Sequence, residues 1–467
     1  MTINQPWTPE LSHRTGPRYR AIAEALEEEI AEGRLREGSR LPTHRDLADA
    51  LGVTVGTVTR AYALARRRGF VAGEVGRGTF VRGAPPARAE TFAIEDRSEP
   101  DTIELSLSIA PREQRVDLVA DRLGELARDP SLADLCSYQP EAGHPRHRAA
   151  GARWLSSLGV EAHEDEVVVT AGVQHGLSLA LSTCTRPGDA VLTEALTYPG
   201  VQWVADQHGL RLEGVALDEQ GMRPDALRER IRQTGARTLY CTPHWQNPTG
   251  ATMSEDRRAE LAGIARESDL LIVEDDVYRP MLDEPRRPLS DFAPERSVFL
   301  TGFSKGVAAG LRVGFLRTTP ERAARLGTGL RTGMWMVAPV MAELAARLVD
   351  SGAAASMIEW KRREMTLRYE AARRLLPEAL GQRPAPAHHV WIPLPQPRTA
   401  RAFVAEALER GVRVAGTGSF AVGGAGPPQE GIRLSLLSPA STAAAARGLR
   451  IVAELLGRPA DTGLSIL

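Results

Sequence analysis

Lysine is almost missing from this 467-residue chain: of its 58 Lys and Arg residues only Lys305 and Lys361 are lysines. A GC-rich genome gives such a bias, but the bias also narrows the search for chemistry. Arginine replaces lysine as a surface charge, yet its permanently protonated guanidinium cannot form an imine with an aldehyde at neutral pH. A retained lysine therefore needs a reason. Cysteine is scarce as well, and Cys136, Cys184 and Cys241 stand too far apart for a disulfide framework or a metal site, so all three are expected as small core residues. No apolar run approaches the roughly 20 residues that cross a bilayer. The opening MTINQPWTPE lacks the basic-then-apolar layout of a signal peptide, which predicts a cytoplasmic protein. Excess charge of one sign is lacking too, the net charge being -1, so any nucleic-acid contact has to come from a local patch.

The length predicts two or three domains. Between Arg18 and Glu32, Ile22, Leu26 and Ile30 form one apolar stripe, and Gly33 is placed to end that helix. LPTHRDLADALGV follows, with Thr43 and Asp46 at capping-box spacing and Leu47, Ala48 and Leu51 as the buried face of a short helix. Gly52 and Thr54 turn and recap the chain into a third helix that ends near Gly69 in a basic run, Arg66, Arg67 and Arg68. FVAGEVGRGTFV then reads as a hairpin with Gly76, Arg77 and Gly78 at its tip. Three helices and a hairpin describe a winged helix-turn-helix, and residues 1–82 hold 13 arginines against 10 acidic residues. A small helical packing domain is the alternative. Residues 83–100, rich in Pro, Ala and charge, read as a linker. From 101 to 467, the runs VVVTAG, AVLTEA, TLYCTP, LLIVEDD, SVFLTG and LRVGFL alternate with helical stretches, the pattern of an α/β fold with a mainly parallel sheet.

Candidate chemistry gathers at the ends of those strands. In TGFSKGVAAGLRVGF, Lys305 follows a strand, Ser304 precedes it, and Arg312 stands seven positions later. A lysine that holds an aldehyde needs a depressed pKa, and a phosphate needs an arginine fork and hydroxyl donors. LLIVEDDVY puts Asp275 and Tyr278 after an apolar strand, where a carboxylate is costly unless paired, for instance with a protonated pyridine. Asp276 better suits the cap of the next helix. TPHWQNPTG supplies Asn247, whose amide can bond a ring hydroxyl. The strand, glycine turn and helix start of VVVTAGVQHGL aim the amides of Val173 and Gln174 at an anion. Tyr198 in LTYPG can stack on a planar ring, and Arg433 in GIRLSLLSP suits bidentate capture of a carboxylate. Taken singly, each of these also has a plain structural reading.

In order and spacing the pieces resemble fold-type I pyridoxal-phosphate enzymes of the aspartate aminotransferase type. From about Pro17 to about Pro439 the chain resembles the MocR subgroup of GntR-family regulators, a winged helix-turn-helix fused to such a fold. The resemblance implies pyridoxal 5'-phosphate on Lys305 as a Schiff base, with Asp275 at the pyridine nitrogen. It implies Asn247 and Tyr278 at the phenolic oxygen, Tyr198 over the ring, and Val173, Gln174, Ser304 and Arg312 around the phosphate. Arg433 would take an effector or substrate carboxylate, and Tyr138 in SYQPEAGHP would reach the cofactor of a partner in a homodimer. The large domain would span about 145–340, and the small one about 341–467 plus the segment after the linker. In the N-terminal module, which carries LPTHRDLADALGV, TVTRAY and GRGTFV, the resemblance implies Arg45 on double-stranded DNA and Thr54, Thr57 and Arg60 at the front of the recognition helix. Arg77 would sit at the wing tip.

Two residues depart from the family's pattern. Val55 stands where an arginine is usual in the recognition helix, and Gly302 where many relatives carry a hydroxyl, with Thr301 one position displaced. Two functions stay open at this level. One is a regulator that senses pyridoxal phosphate, or an amine or amino acid reacting with it. The other is a working aminotransferase that carries a helix-turn-helix, to which the Asn-Pro-Thr-Gly form at Asn247 lends weight.

Overall fold

The computed structural model describes residues 7–11, 17–31, 34–35, 38–67, 70–74, 78–81, 102–109, 115–380, 386–426 and 428–457. The chain falls into two compact units, parted between Thr91 and Phe92.

In the N-terminal unit, α1 (Arg18–Ala31) buries Ile22, Leu26 and Ile30 as their spacing predicts, each contributing about 1.5–3 kcal/mol. Helix α2 (His44–Leu51) starts where Thr43 Oγ1 accepts the Asp46 amide at 3.2 Å and stops at Gly52, whose φ of 62° a β-carbon would strain. Helix α3 (Val55–Arg67) lays Val58, Ala61, Tyr62 and Ala65 on the same core. Strands β1 (Val71–Glu74) and β2 (Gly78–Val81) pair antiparallel, and Arg40 bridges to Phe80 on the free edge. This is a winged helix-turn-helix. Gly33, the Arg67 side chain, Arg68, Gly69, Gly76, Arg77 and the linker 83–100 lie outside the described residues.

The C-terminal unit is built on a seven-stranded sheet. Its order is Val167–Thr170, Gly314–Arg317, Ser297–Gly302, Leu271–Asp275, Thr238–Cys241, Ala190–Glu194 and Arg211–Val215. Only Gly314–Arg317 runs against the rest. Four strands, Val167–Thr170, Ala190–Glu194, Thr238–Cys241 and Ser297–Gly302, are buried along their whole length, which is why they read as continuous apolar runs rather than as an alternation. A second, smaller sheet joins His389–Pro393, Gly431–Ser435 and Ala415–Gly416, backed by the helices Ala353–Leu375 and Thr442–Leu456. Strand β3 (Ile103–Glu104), the first described after the linker, pairs in parallel with Val412–Arg413.

The cysteines correct one expectation. All three are free, Cys241 is buried and Cys184 partly so, but Cys136 is exposed.

Candidate functional site

Carboxyl ends of parallel strands leave a crevice that neighbouring loops line. Here Asp275 ends such a strand, Gly172, Tyr198, Asn247 and Lys305 follow the ends of others, and Arg312 enters just ahead of the antiparallel one on the same edge.

One corner is shaped for a dianion. The helix Val173–Cys184 begins there, and the amides of its first turn, those of Val173 and Gln174 included, have no partner inside the helix. Gly172, at φ 84°, caps it, and a β-carbon on Gly172 would stand 2.6 Å from Arg312 Nη2. Arg312, itself at φ 52°, is exposed and reaches the Ala171 carbonyl at 3.1 Å and Ser304 Oγ at 3.5 Å. Arginine fork, hydroxyl and helix start thus converge without a side chain between them. Gly302, which removes a hydroxyl, is needed as it is: a β-carbon there would press on the Val313 carbonyl and Gly314 at 3.0 Å.

At the centre, Asp275 is buried. Its Oδ2 accepts from the Tyr240 hydroxyl at 2.9 Å and its Oδ1 from the Val277 amide at 3.1 Å. Burial raises its pKa to about 6, so it is ionised at neutral pH and able to hold a protonated ring nitrogen. Tyr198, half-buried, starts the helix Pro199–Gln207, and Gly200 lacks the β-carbon that would run into its ring. Burial and the nearby Asp275 keep the Tyr198 phenol neutral.

The third corner joins Lys305, Tyr278, Asn247 and Arg433. Burial, then Arg433, lowers the Lys305 pKa to about 8, and its ammonium donates to the Ser108 carbonyl. The Tyr278 hydroxyl lies 2.8 Å from Ser108 Oγ, which is 3.4 Å from His388 Nδ1. Arg433, fully buried over the Phe420 ring, donates through Nη1 to Asn247 Oδ1 at 2.6 Å and through Nη2 to the Ser106 carbonyl. With Oδ1 committed to Arg433, the amide Nδ2 of Asn247 is the atom left to meet a ring oxygen. Ser106, Ser108, Tyr240 and His388 are additions that sequence reasoning missed. Of these only the His388–His389 pair ahead of an apolar strand gave a sequence signal.

Asp276 does not cap a helix. It is buried, and its Oδ2 accepts from His244 Nδ1 at 2.9 Å and Arg279 Nη1 at 3.0 Å, an ion pair beneath the site. Tyr138, expected to reach a partner's cofactor, lies on the surface of this chain. It is 81% exposed and packs at a tilt against exposed Trp335, 5.9 Å between ring centres. In the N-terminal unit Arg45, Thr54, Val55 and Arg60 are exposed and Thr57 half-buried. Thr57 caps with Thr54 at 2.9 Å between hydroxyls, and Thr59 ties α3 to His44 at 3.2 Å.

These donor sets fit pyridoxal 5'-phosphate: a cradle without a β-carbon for its phosphate, a buried carboxylate for its pyridine nitrogen, and an amine of lowered pKa for its aldehyde. Among the described residues no helix is long and apolar enough to cross a membrane. Residues 117–449 match the class I and II aminotransferases, and residues 18–81 the bacterial regulatory proteins of the gntR family. The HTH-type transcriptional regulator YdeF of Bacillus subtilis is 26% identical over 450 residues, 96% of each chain. The pyridoxine biosynthesis regulator PdxR of Corynebacterium glutamicum is 29% identical over 373 residues, 78% of this chain and 79% of that one. Among solved structures, the α-aminoadipate aminotransferase LysN of Thermus thermophilus, in complex with N-(5'-phosphopyridoxyl)-L-leucine, superposes with a TM-score of 0.68. It is 26% identical over 76% of this chain and 92% of that one. The chain belongs to the class I and II aminotransferase family and, with a GntR DNA-binding module ahead of that fold, has the architecture of the MocR regulators.

Proposed function

We propose that this protein is a DNA-binding transcription regulator whose aminotransferase-type unit senses pyridoxal phosphate, or an amino compound that reacts with it. The observation that carries the reading is the pairing, in one chain, of an exposed recognition-helix front (Thr54, Val55, Arg60) with a site that joins a buried carboxylate, Asp275, to a lysine of lowered pKa, Lys305. Bound there, the cofactor supplies an aldehyde that takes up amines and a ring that draws electrons. Lys305 holds the aldehyde, Asp275 the ring proton, and Val173, Gln174, Ser304 and Arg312 the phosphate. Asn247 and Tyr278 meet the phenolic oxygen, Tyr198 covers the ring, and Arg433 orients a carboxylate. Arg45, Thr54, Thr57, Arg60 and Arg77 would face DNA. The protein acts in the cytoplasm as a homodimer, in which the exposed Tyr138 of one protomer reaches the cofactor of its partner.

Footprinting on the DNA upstream of its own gene, with and without pyridoxal phosphate, tests this. A protected site whose strength changes with the cofactor is expected. The second reading, an active aminotransferase, is favoured by Lys305, whose pKa of about 8 suits it to carry a proton near neutrality. Measurable transamination of an amino acid, without protection of any DNA at low salt, would make that reading the better one.

A further inference from the structure

The segment that follows the linker runs straight into the site. Strand β3 anchors it on Val412–Arg413, and the Leu105 amide continues the pairing to the Arg413 carbonyl at 2.8 Å. A tight turn comes next, closed by Glu104. Its Oε1 accepts from the Ser106 amide and hydroxyl, both at 2.6 Å, and from the Leu107 amide at 3.1 Å. Beyond the turn, three groups of this segment meet three groups of the site. The Ser106 carbonyl accepts from Arg433, the Ser108 carbonyl from Lys305, and the Ser108 hydroxyl pairs with the Tyr278 hydroxyl.

Each of those residues is the one assigned above to a different part of the ligand: Arg433 to the carboxylate, Lys305 to the aldehyde, Tyr278 to the ring oxygen. A carboxylate gives a guanidinium two charge-assisted bonds where a neutral carbonyl gives one weaker bond. A lysine nitrogen bound to the aldehyde carbon would have given up at least two of the three hydrogens of its ammonium and turned away from the Ser108 carbonyl. Ligand and segment therefore draw on the same donors.

We propose that residues 106–108 are an internal occupant of the ligand site, exchanged for the ligand, so that filling the site frees the segment that leads back to the N-terminal unit. This rests on the reading that pyridoxal phosphate and a carboxylate-bearing amine bind at Lys305 and Arg433. A ligand shifts such an equilibrium only by its differential affinity, and here the difference arises because the two occupants cannot share Arg433 and Lys305. Ser438 sets the strength of the hold. Its hydroxyl donates to the Leu107 carbonyl, lies 3.4 Å from the Ile109 amide and touches none of the groups assigned to the ligand.

Hydrogen–deuterium exchange on the full chain tests the exchange of occupants, with pyridoxal phosphate and then N-(5'-phosphopyridoxyl)-L-leucine as probes. Binding is followed separately by absorbance. Filling the site is expected to speed exchange at the amides of residues 106–109 at least about fivefold, while amides of the Leu271–Asp275 strand do not speed up. In parallel, Ser438→Ala is expected to bind the leucine adduct roughly fivefold more tightly, the value of one hydrogen bond taken from the competitor. A merely damaged fold would bind it more weakly. Bound probe with unchanged or slowed exchange at 106–109, or a Ser438→Ala affinity that is equal or lower, overturns the proposal and leaves the cofactor reading intact. No absorbance change with either probe overturns the cofactor reading, and this proposal with it.

Discussion

Arg433 donates to Asn247 across 186 positions of sequence, Nη1 to Oδ1 at 2.6 Å, and both side chains are buried. Burial lowers the Arg433 pKa to about 10, the direction expected of a guanidinium taken out of water, and its hydrogen-bond partners replace that water. Removing one acceptor with Asn247→Ala should therefore cost about 1.5–3 kcal/mol, the range for hydrogen bonds to charged groups. Urea unfolding monitored by tryptophan fluorescence measures it, and an unchanged midpoint and slope would mean that the pair adds nothing to the fold.

Lys305 gives a prediction in pH. Only the neutral amine attacks an aldehyde, and burial, followed by the Arg433 charge, lowers the pKa to about 8 from its ordinary 10.5. The rate of pyridoxal-phosphate capture should rise with pH and level off above about 8. Stopped-flow absorbance at a series of pH values follows it. Lys305→Ala should show no band of the lysine-bound cofactor at any pH, whereas a wild-type rate still climbing steeply beyond pH 9 would place the amine in water.

Much of this site was legible in the sequence because its groups are side chains standing where strands end. Lys305, Asp275, Tyr278 and Arg433 each announce a charge or a hydroxyl in an apolar context. The carbonyls of Ser106 and Ser108 were not legible, since every residue offers a carbonyl and only the fold decides which one meets Lys305 or Arg433. Asp276 was misread for a related reason. An aspartate after a strand looks like a helix cap until Arg279 and His244, 3 positions after it and 32 before it, are seen to close on it. In the N-terminal unit, by contrast, the spacing of Ile22, Leu26 and Ile30 fixed the buried face outright.

Gly172 lies where backbone and ligand space compete. Its φ of 84° disfavours a side chain, and a β-carbon would stand 2.6 Å from Arg312 Nη2 and 3.2 Å from Nη1. Gly172→Ala should push the guanidinium out of the corner that faces the helix Val173–Cys184 and weaken pyridoxal-phosphate binding at least tenfold. Titration of the visible absorbance would reveal it. Binding as tight as wild type would argue that the phosphate sits elsewhere.

The buried ion pair predicts an acid sensitivity. Burial alone would raise the Asp276 pKa, but His244, Arg279 and Arg258 more than offset it and hold the carboxylate below its ordinary range. With the folded value under the unfolded one, the stabilisation is complete above the ordinary aspartate pKa of about 3.9 and is lost as pH falls toward the folded value. Asp276→Ala, which strands the Arg279 guanidinium without its countercharge, should cost about 3–5 kcal/mol at neutral pH. Denaturant unfolding at pH 7 and near pH 3, below the ordinary aspartate pKa, checks both size and sign. A variant whose deficit grows on acidification would contradict the assignment.

Val55 offers the sharpest test of the DNA-reading face. It opens α3, is 43% exposed and follows Thr54, whose hydroxyl accepts from the Thr57 amide and pairs with the Thr57 hydroxyl; neither supplies a charge. If the front of α3 enters the major groove as proposed, in Val55→Arg a guanidinium would project there within reach of a phosphate. Each added phosphate contact steepens the salt dependence of binding by about 0.9 in log–log slope. The substitution has a cost, because a cation at a helix N-terminus opposes the helix dipole by about 0.3–1 kcal/mol. Binding should thus strengthen at low salt and show a steeper salt slope, while thermal stability falls slightly. Fluorescence anisotropy with the upstream DNA, across a salt series, separates the two effects. A slope identical to wild type, in a variant that is folded and binds, would mean that the front of α3 does not lie against the phosphate backbone. The recognition surface would then have to be sought on the exposed side of α2, around Arg45.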